Sequence, residues 1–479
     1  MYEAIPVETT SELSLNFNET NKGYTKEESM IEASRCLTCV NPTCVRRCPA
    51  HLHVPGYMKQ IAKGNFQEAL KVVYNFFPIA GTCGRICFHP CMEDCLQNRT
   101  PDGYALRIPM IRRAAADFGD INKLIIRPGF PTGKKVAIIG AGPAGLTCAY
   151  HLRRLGHDVT IFDKEKAPGG QLYYTIPKFR LPKDVLINEC SILTKLGVIF
   201  KFGVNIGKDV GVEQITNDFD AVFIAIGAMK PITLNIPGEE CNGVMHSLDF
   251  LKEVNEMRIK SLHGSVSVIG GGNVAIDVLR TVIRLSPDEL HIIYRRSPRE
   301  MPASKGEIRE FIEEVVQHHV DIKDVDDAKE KFMLFEVLEN EKSRTPTKVV
   351  AHFYTQPVKF SESAGKLTSI ISSPVRLVND PSNPRGKLIV DKDTTFELKT
   401  DMVIIAAGER PDVASLNLKE LKTTRWNTIV VDNELKTSIS KVFAGGDVTN
   451  GPASMIEAIR DGKNGAYALD KFLMEHVHN

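Results

Sequence analysis

Residues 134–165 read KKVAIIGAGPAGLTCAYHLRRLGHDVTIFDKE. A strand-sized apolar run, a glycine turn, a helix-like stretch and a second β-branched run follow one another, giving strand, turn, helix, strand. Gly140, Gly142 and Gly145 satisfy G-x-G-x-x-G directly after the run Val136–Ile139. The first glycine permits the tight turn, the second lets a pyrophosphate approach the backbone, and the third lets helix and strand pack closely. The phosphates then meet the amide end of the helix. Asp163 closes the second strand, where an acid accepts hydrogen bonds from a ribose. Alone the glycine motif is weak evidence, but inside a whole βαβ unit with the acid in place it is strong. Either FAD or NAD satisfies it.

A second unit lies at 263–298, HGSVSVIGGGNVAIDVLRTVIRLSPDELHIIYRRSP. Gly270, Gly272 and Ala275 form the G-x-G-x-x-A variant, with Gly271, Asn273 and Val274 between them. No acid ends its second strand. Arg295 and Arg296 stand there instead, with Arg299 nearby, and guanidinium groups at that point suit a 2′-phosphate, so the expected nucleotide is NADPH before NADH. A solvated arginine pair at a strand end is the bland alternative.

DFDAVFIAIGAMKP at 218–231 and KTDMVIIAAGERPD at 399–412 share an acid, a buried strand and an Ala-x-Gly ending, the latter at Ala406-Ala407-Gly408. Each is expected to close one nucleotide domain and cross to the other. KVFAGGDVTNGPASMIEAIRDGKNGAYALDKFL at 441–473 then offers Gly446-Asp447 after a strand and before a helix. The second nucleotide domain is thus inserted into the first. The turn-rich residues 322–400 are expected to add antiparallel strands to it.

Upstream the chemistry changes. RCLTCVNPTCVRRCPAH at 35–51 places Cys36, Cys39, Cys44 and Cys48 in a C-x2-C-x4-C-x3-C-P series, and TCGRICFHPCMEDCLQ at 82–97 spaces Cys83, Cys87, Cys91 and Cys95 four apart. A disulfide staple, a zinc pair and iron–sulfur ligation compete. Zinc accepts four thiolates but favours separated C-x2-C knuckles. Iron–sulfur ligation fits best, because ferredoxin runs use a similar series ending in Cys-Pro. Between the groups, VPGYMKQIAKGNFQEALKVVYNFFP has helical apolar spacing broken at Gly64-Asn65, hence two short helices. The four-residue spacing would align the second group's sulfurs on one helical face, with Pro90 limiting its regularity. Cys148, Cys190 and Cys241 stand alone and are expected to be buried thiols. His51, His53 and His89 are expected at the surface or behind the sulfurs.

The chain has 479 residues, 43% hydrophobic and 25% charged, with a formal net charge of +1. That balance gives no global field toward nucleic acid or an anionic membrane. No apolar run approaches the ~20 residues of a spanning helix, and the N-terminus lacks the pattern of a signal peptide. A cytoplasmic location is expected, where thiols stay reduced and cysteine clusters bind metal. The expected fold class is α/β: an N-terminal α-helical iron–sulfur domain (1–125) followed by two Rossmann-like nucleotide-binding domains. The NADPH domain (256–400) is inserted between the two FAD segments (126–255 and 401–479).

With GAGPAGL, PGGQL, IPKFRLP, GGGNVAID, YRRS…MPA and GGDV beside RCLTC…PTCVRRCP and CGRIC, the chain resembles the glutamate synthase small-subunit family of flavoproteins, from about residue 15 onward. It also resembles the N-terminal part of dihydropyrimidine dehydrogenase and the large subunit of NADH-dependent ferredoxin:NADP+ oxidoreductase. The resemblance implies FAD at Gly140, Gly142, Pro143, Ala144, Gly145, Asp163, Lys164, Gly170, Gln171, Leu172, Arg180, Gly446 and Asp447. It implies NADPH at Gly270–Ala275, Arg295, Arg296, Arg299, Ala407 and Gly408, and two [4Fe–4S] clusters. Cys36, Cys39 and Cys44 would join Cys95 on one; Cys48, Cys87 and Cys91 would serve the other, whose fourth ligand in the family is Glu or Gln. Arg112 falls at that place and has no lone pair for iron. Either Cys83 is the fourth ligand, the alignment slips, or the second cluster is altered or absent.

The implied function is an electron-transfer subunit, moving hydride between NADPH and FAD and single electrons through the clusters to or from a second redox subunit. That partner is ferredoxin-linked, flavin-containing or of amidotransferase type. Hydride transfer needs no catalytic side chain, since the chemistry belongs to the cofactors. No C-x-x-C lies beside either nucleotide motif, which disfavours a dithiol relay. The alternative is a self-sufficient flavoenzyme reducing sulfur, a quinone or a dye.

Overall fold

The computed structural model describes residues 16–100, 103–316, 327–340, 345–381, 383–391 and 393–475. The N-terminal module is helical. Thr25 opens its first helix, Lys26–Ser34, with a capping box: its side chain accepts from Glu28 N–H while the Glu28 side chain accepts from Thr25 N–H, satisfying two otherwise orphaned donors. Helices Val54–Ile61 and Phe66–Tyr74 follow, broken at Gly64 in a left-handed conformation (φ +75°). Tyr57, Met58, Ile61, Ala69, Leu70, Val73 and Phe77 fill the core beneath them with Ile111 and Ala115 of the helix Ile108–Phe118.

The second cysteine group does not share one helix. Cys83 lies in Ala80–Ile86, Cys87 caps its C-terminus, and Cys91 begins anew in Pro90–Glu93. The residue before a proline is disfavoured in the α region, and His89 adopts a left-handed φ of +66°. That kink turns Cys91 and Cys95 out of line with Cys87.

Two parallel sheets follow with the same internal logic. The first runs Val442–Ala444, Ala221–Ile224, Lys135–Ile139, Asp158–Asp163, Ile199–Phe202, all parallel. The second runs Val244–His246, Met402–Ile405, Ser265–Ile269, Glu289–Tyr294, Lys348–Phe353, again all parallel. In each, the strand before the glycine turn is central, which puts the turn at the switch point where doubly wound folds bind nucleotides. The second sheet begins at Val244 and ends at Ile405, so the expected boundaries at 255/256 and 400/401 cut through it. Val403 pairs with Val244 and Ser267, which makes the 399–412 repeat the strand that closes this sheet. An antiparallel sheet of Thr355–Ser363, Lys366–Asp380, Asn383–Val390 and Phe396–Lys399 packs beside it. The two crossovers meet as an antiparallel ribbon, Lys230–Pro231 against Glu409–Arg410.

The helical module and the first sheet share one hydrophobic core, with Tyr57, Leu70 and Phe77 continuous with Val136, Leu146 and Leu473. Polar contacts fix the join: Tyr150 Oη donates to the Tyr74 carbonyl at 2.5 Å and His151 Nε2 contacts the Phe76 carbonyl at 2.8 Å. Among the described residues no helix is long and apolar enough to cross a membrane.

Candidate functional site

The first glycine turn opens into a cavity of about 670 Å³. A Cβ on Gly140 would stand 2.3 Å from the Ala225 carbonyl oxygen, at φ +109°, so only glycine fits. Gly142 meets nothing within 4 Å, its missing side chain leaving open space at the start of the helix Pro143–Leu155. Gly140, Gly142, Pro143, Ala144, Asp163, Lys164, Gly170, Gln171, Leu172, Arg180, Gly446 and Asp447 all line the cavity. Gly145 does not: its Cβ would lie 2.0 Å from the Gly140 carbonyl oxygen, so it serves strand–helix packing. Asp163 Oδ2 accepts from Ala141 N–H at 2.7 Å and Oδ1 from Glu165 N–H at 2.8 Å, bracing the turn as well as lining the cavity. Arg180 is already engaged: Nη1 contacts both Asp277 oxygens at 2.7 Å, and Nη2 pairs with Glu307.

Burial pushes the Asp447 carboxyl up to about 6, with Glu457 and Asp461 adding to it. Burial and Asp447 push Glu409 up to about 7, and Glu409 Oε1 is buried without a hydrogen-bond partner. Two flanks of the cavity were not legible in the motifs. Ile86 and Phe88, on either side of Cys87, form part of its wall, and so do Asn273, Val274 and Asp277 of the second glycine helix. Only the positions of Ile86 and Phe88 next to Cys87 hinted at this.

The second turn repeats the geometry. Gly270, at φ +149°, would place a Cβ 2.3 Å from the Ala406 carbonyl oxygen, and a Cβ on Gly271 would stand 2.6 Å from the Tyr294 ring. A Cβ on Gly272 would meet only Pro302 Cγ within 4 Å, at 3.9 Å, and Ala275 is buried in the helix Asn273–Arg284. Asn273 Oδ1 accepts from Ser304 N–H at 2.9 Å. The arginines diverge. Arg295 is exposed at the end of Glu289–Tyr294; Arg296 is buried, 3.9 Å from Glu300; Arg299 lies over the Phe332 ring at 4.8 Å. Ala407 is exposed, and Gly408 takes φ +111° beside Ile232.

The cysteines fall into two sets that cross the sequence groups. Cys36, Cys39, Cys44 and Cys95 line one small cavity, and the first three are half-buried. Cys48, Cys83, Cys87 and Cys91 are buried around the guanidinium of Arg112, which donates to the Cys83 carbonyl. Burial pushes the Cys48, Cys83 and Cys91 thiols up, whereas the hydrogen bond from Cys83 draws Cys87 down. Among the described residues no three His, Cys, Asp or Glu side chains converge as on a single ion. Ligands of a multi-iron cluster stand farther apart, and two sets of four sulfurs suit such clusters better than one ion. Cys148, Cys190 and Cys241 are buried away from both sets. His51 and His53 are exposed; His89 carries a buried, unpartnered Nε2, and burial, then Arg112, lowers it to about 3.

Comparison with known proteins follows the same partition. The family described as dihydropyrimidine dehydrogenase domain II, 4Fe-4S cluster matches residues 13–123. The family described as pyridine nucleotide-disulphide oxidoreductase matches residues 134–352 and 370–462. The chain is 33% identical over 463 residues to the beta subunit of NADP(+)-dependent formate dehydrogenase from Moorella thermoacetica, covering 91% of this chain and 60% of that one. It is 30% identical over 462 residues to the beta subunit of the NADPH-Fe(3+) oxidoreductase of Geobacter sulfurreducens, covering 90% and 64%. The chain therefore spans less than two thirds of the length of these two relatives. It is 30% identical over 486 residues to the glutamate synthase [NADPH] small chain of Halomonas elongata, covering 95% and 93%. Among solved structures, Mycobacterium tuberculosis FprA in complex with NADPH superposes with a TM-score of 0.59 at 21% identity, over 72% of this chain and 86% of FprA, a likeness of fold.

Proposed function

Since the chain belongs to the pyridine nucleotide-disulphide oxidoreductase family, in the glutamate synthase small-chain group with an N-terminal 4Fe-4S domain, and is an NAD(P)H-dependent FAD/iron–sulfur oxidoreductase, we propose that it is an electron-transfer subunit linking NADPH to a partner redox subunit. One observation carries this reading: residues of three modules wall a single cavity. Gly142 and Asp163 belong to the first nucleotide unit, Asn273 and Val274 to the second, and Ile86 and Phe88 flank Cys87 of the cysteine module.

Bound there, FAD would exchange a hydride with NADPH and single electrons with iron–sulfur clusters. The chain's own residues provide the alignment. Gly142 and the amide end of Pro143–Leu155 receive the pyrophosphate, and Asp163 stands where it can accept from the ribose. Gly272 and the helix Asn273–Arg284 do the same for NADPH, with exposed Arg295 available to its 2′-phosphate. Cys87 of the buried set sits between two residues of the cavity wall, and Cys36, Cys39, Cys44 and Cys95, the outer set, line a separate small cavity. Beside this outer set Leu37 is 50% exposed and Val40 is 96% exposed, a surface suited to a partner. Relatives named as beta subunits and small chains support a second subunit.

The test is anaerobic purification with iron, sulfide and flavin analysis, followed by reduction with NADPH and NADH in parallel. The expected result is a brown flavoprotein reduced faster by NADPH. A colourless, zinc-containing chain would overturn the proposal. Isolation of a second polypeptide with the chain separates the subunit reading from a self-sufficient enzyme.

A further inference from the structure

Arg112 is 2% exposed and lies among Cys48, Cys83, Cys87 and Cys91. Among the described residues no carboxylate pairs with it. Its guanidinium donates through Nη2 to the Cys83 carbonyl and lies within hydrogen-bond reach of the Cys87 sulfur, and its Nε is buried without an acceptor. Tyr57, in the same cage between Cys44, Cys48 and Cys91, also holds a buried Oη with no partner. A lone buried cation is costly unless an anion answers it, and an unpaired buried donor calls for an unseen acceptor. Neutral thiols supply neither. Four thiolates on an iron–sulfur core leave a net negative group that supplies both.

We infer that Cys48, Cys83, Cys87 and Cys91 are the four ligands of the inner iron–sulfur cluster, and that Arg112 is its buried counter-charge rather than a ligand. This rests on the electron-transfer reading above. Each one-electron reduction adds a negative charge to the cage. A fixed guanidinium stabilises the reduced form more than the oxidised form and so raises the reduction potential, which depends on charge, hydrogen bonding and burial. The cluster beside the flavin cavity is thereby made the better electron acceptor. Among the described residues no such buried cation faces Cys36 or Cys44, whose main electrostatic neighbours are other cysteines.

The experiment uses the full chain purified without oxygen, with flavin content as the check on folding. Cys83→Ser should lose about half of its iron and sulfide, with one of two cluster signals gone from the electron paramagnetic resonance spectrum of the dithionite-reduced protein. Arg112→Gln should either shift one cluster midpoint to a more negative potential or lose that cluster alone; Arg112→Lys, which keeps the charge, should restore it. Full iron in Cys83→Ser, or Gln and Lys variants that behave alike, would overturn the inference while leaving the electron-transfer reading intact. Absence of iron from the wild-type chain would instead remove that reading.

Discussion

The carboxylate of Glu189 accepts the backbone N–H of Gly81 at 2.6 Å, and its second oxygen accepts Thr82 N–H at 3.0 Å. Glu189 lies on the helix Lys183–Lys195 of the first nucleotide module, whereas Gly81 and Thr82 open the helix that carries Cys83. An acid at a helix N-terminus answers donors that have no intrahelical partner and favours the positive end of the dipole. Here it also sets how the cysteine module sits on the flavin module. Removing it leaves two buried donors bare, at roughly 1–3 kcal/mol each. Glu189→Ala should lower thermal stability and slow electron transfer from flavin to clusters; Glu189→Gln should recover part of both. Stopped-flow absorbance after NADPH addition, read at flavin and cluster wavelengths, checks it.

What the sequence disclosed and what it hid differ by physical origin. Gly140 and Gly142 were legible because a tight turn before a helix demands glycine at fixed spacing, and both line one cavity with Asp163. The inserted order of the domains was legible from the paired Ala-x-Gly strands. The domain edges were not, because Val244–His246 is short and Met402–Ile405 belongs to a sheet whose other strands lie far away in sequence. Arg180 was assigned to the flavin, but its guanidinium meets Asp277 and Glu307, a tertiary pairing that leaves no local pattern. Phe88 lines the cavity just before the left-handed His89 and Pro90, a bend that no periodic pattern announces.

The glycines of the first turn separate folding from binding. Gly140→Ala places a methyl 2.3 Å from the Ala225 carbonyl oxygen at a left-handed φ, and such overpacking with strain costs about 3 kcal/mol or more. Gly142→Ala meets nothing within 4 Å and has φ −77°, so the fold tolerates it while the methyl occupies the cavity wall. Gly140→Ala should therefore reduce soluble yield and thermal midpoint. Gly142→Ala should keep both but contain less FAD, measured by release of bound flavin and fluorescence.

Arg180 locks one nucleotide module to the other. Its side chain is 13% exposed and that of Asp277 is 4% exposed. Arg180→Ala strands Asp277 and leaves Glu307 only the more distant Arg280, at 3.5 Å, at about 3–5 kcal/mol for a broken buried pair. Because misplacement of about 1 Å can cost ~10²-fold in rate, NADPH-driven flavin reduction should fall roughly 10- to 100-fold. Flavin content and reduction by dithionite should remain near wild type. Loss of FAD as the first effect would instead assign Arg180 to the cofactor.

The Glu409–Asp447 pair makes the flavin-free protein sensitive to pH. Both carboxyls have folded-state pKa values above their ordinary ones, Glu409 at about 7 against 4.5 and Asp447 at about 6 against 3.8. The folded state therefore binds these protons more tightly than the unfolded chain does. Their contribution to stability is fully present below about pH 4 and is lost as pH rises through 6 and 7. The thermal midpoint of flavin-free protein should fall across that window. Glu409→Gln, which cannot ionise, should flatten the upper part of the decline and raise the midpoint at pH 8. Differential scanning calorimetry from pH 5 to 8 on both proteins decides it. Parallel curves for the two would show that Glu409 ionises in the folded chain as freely as in water.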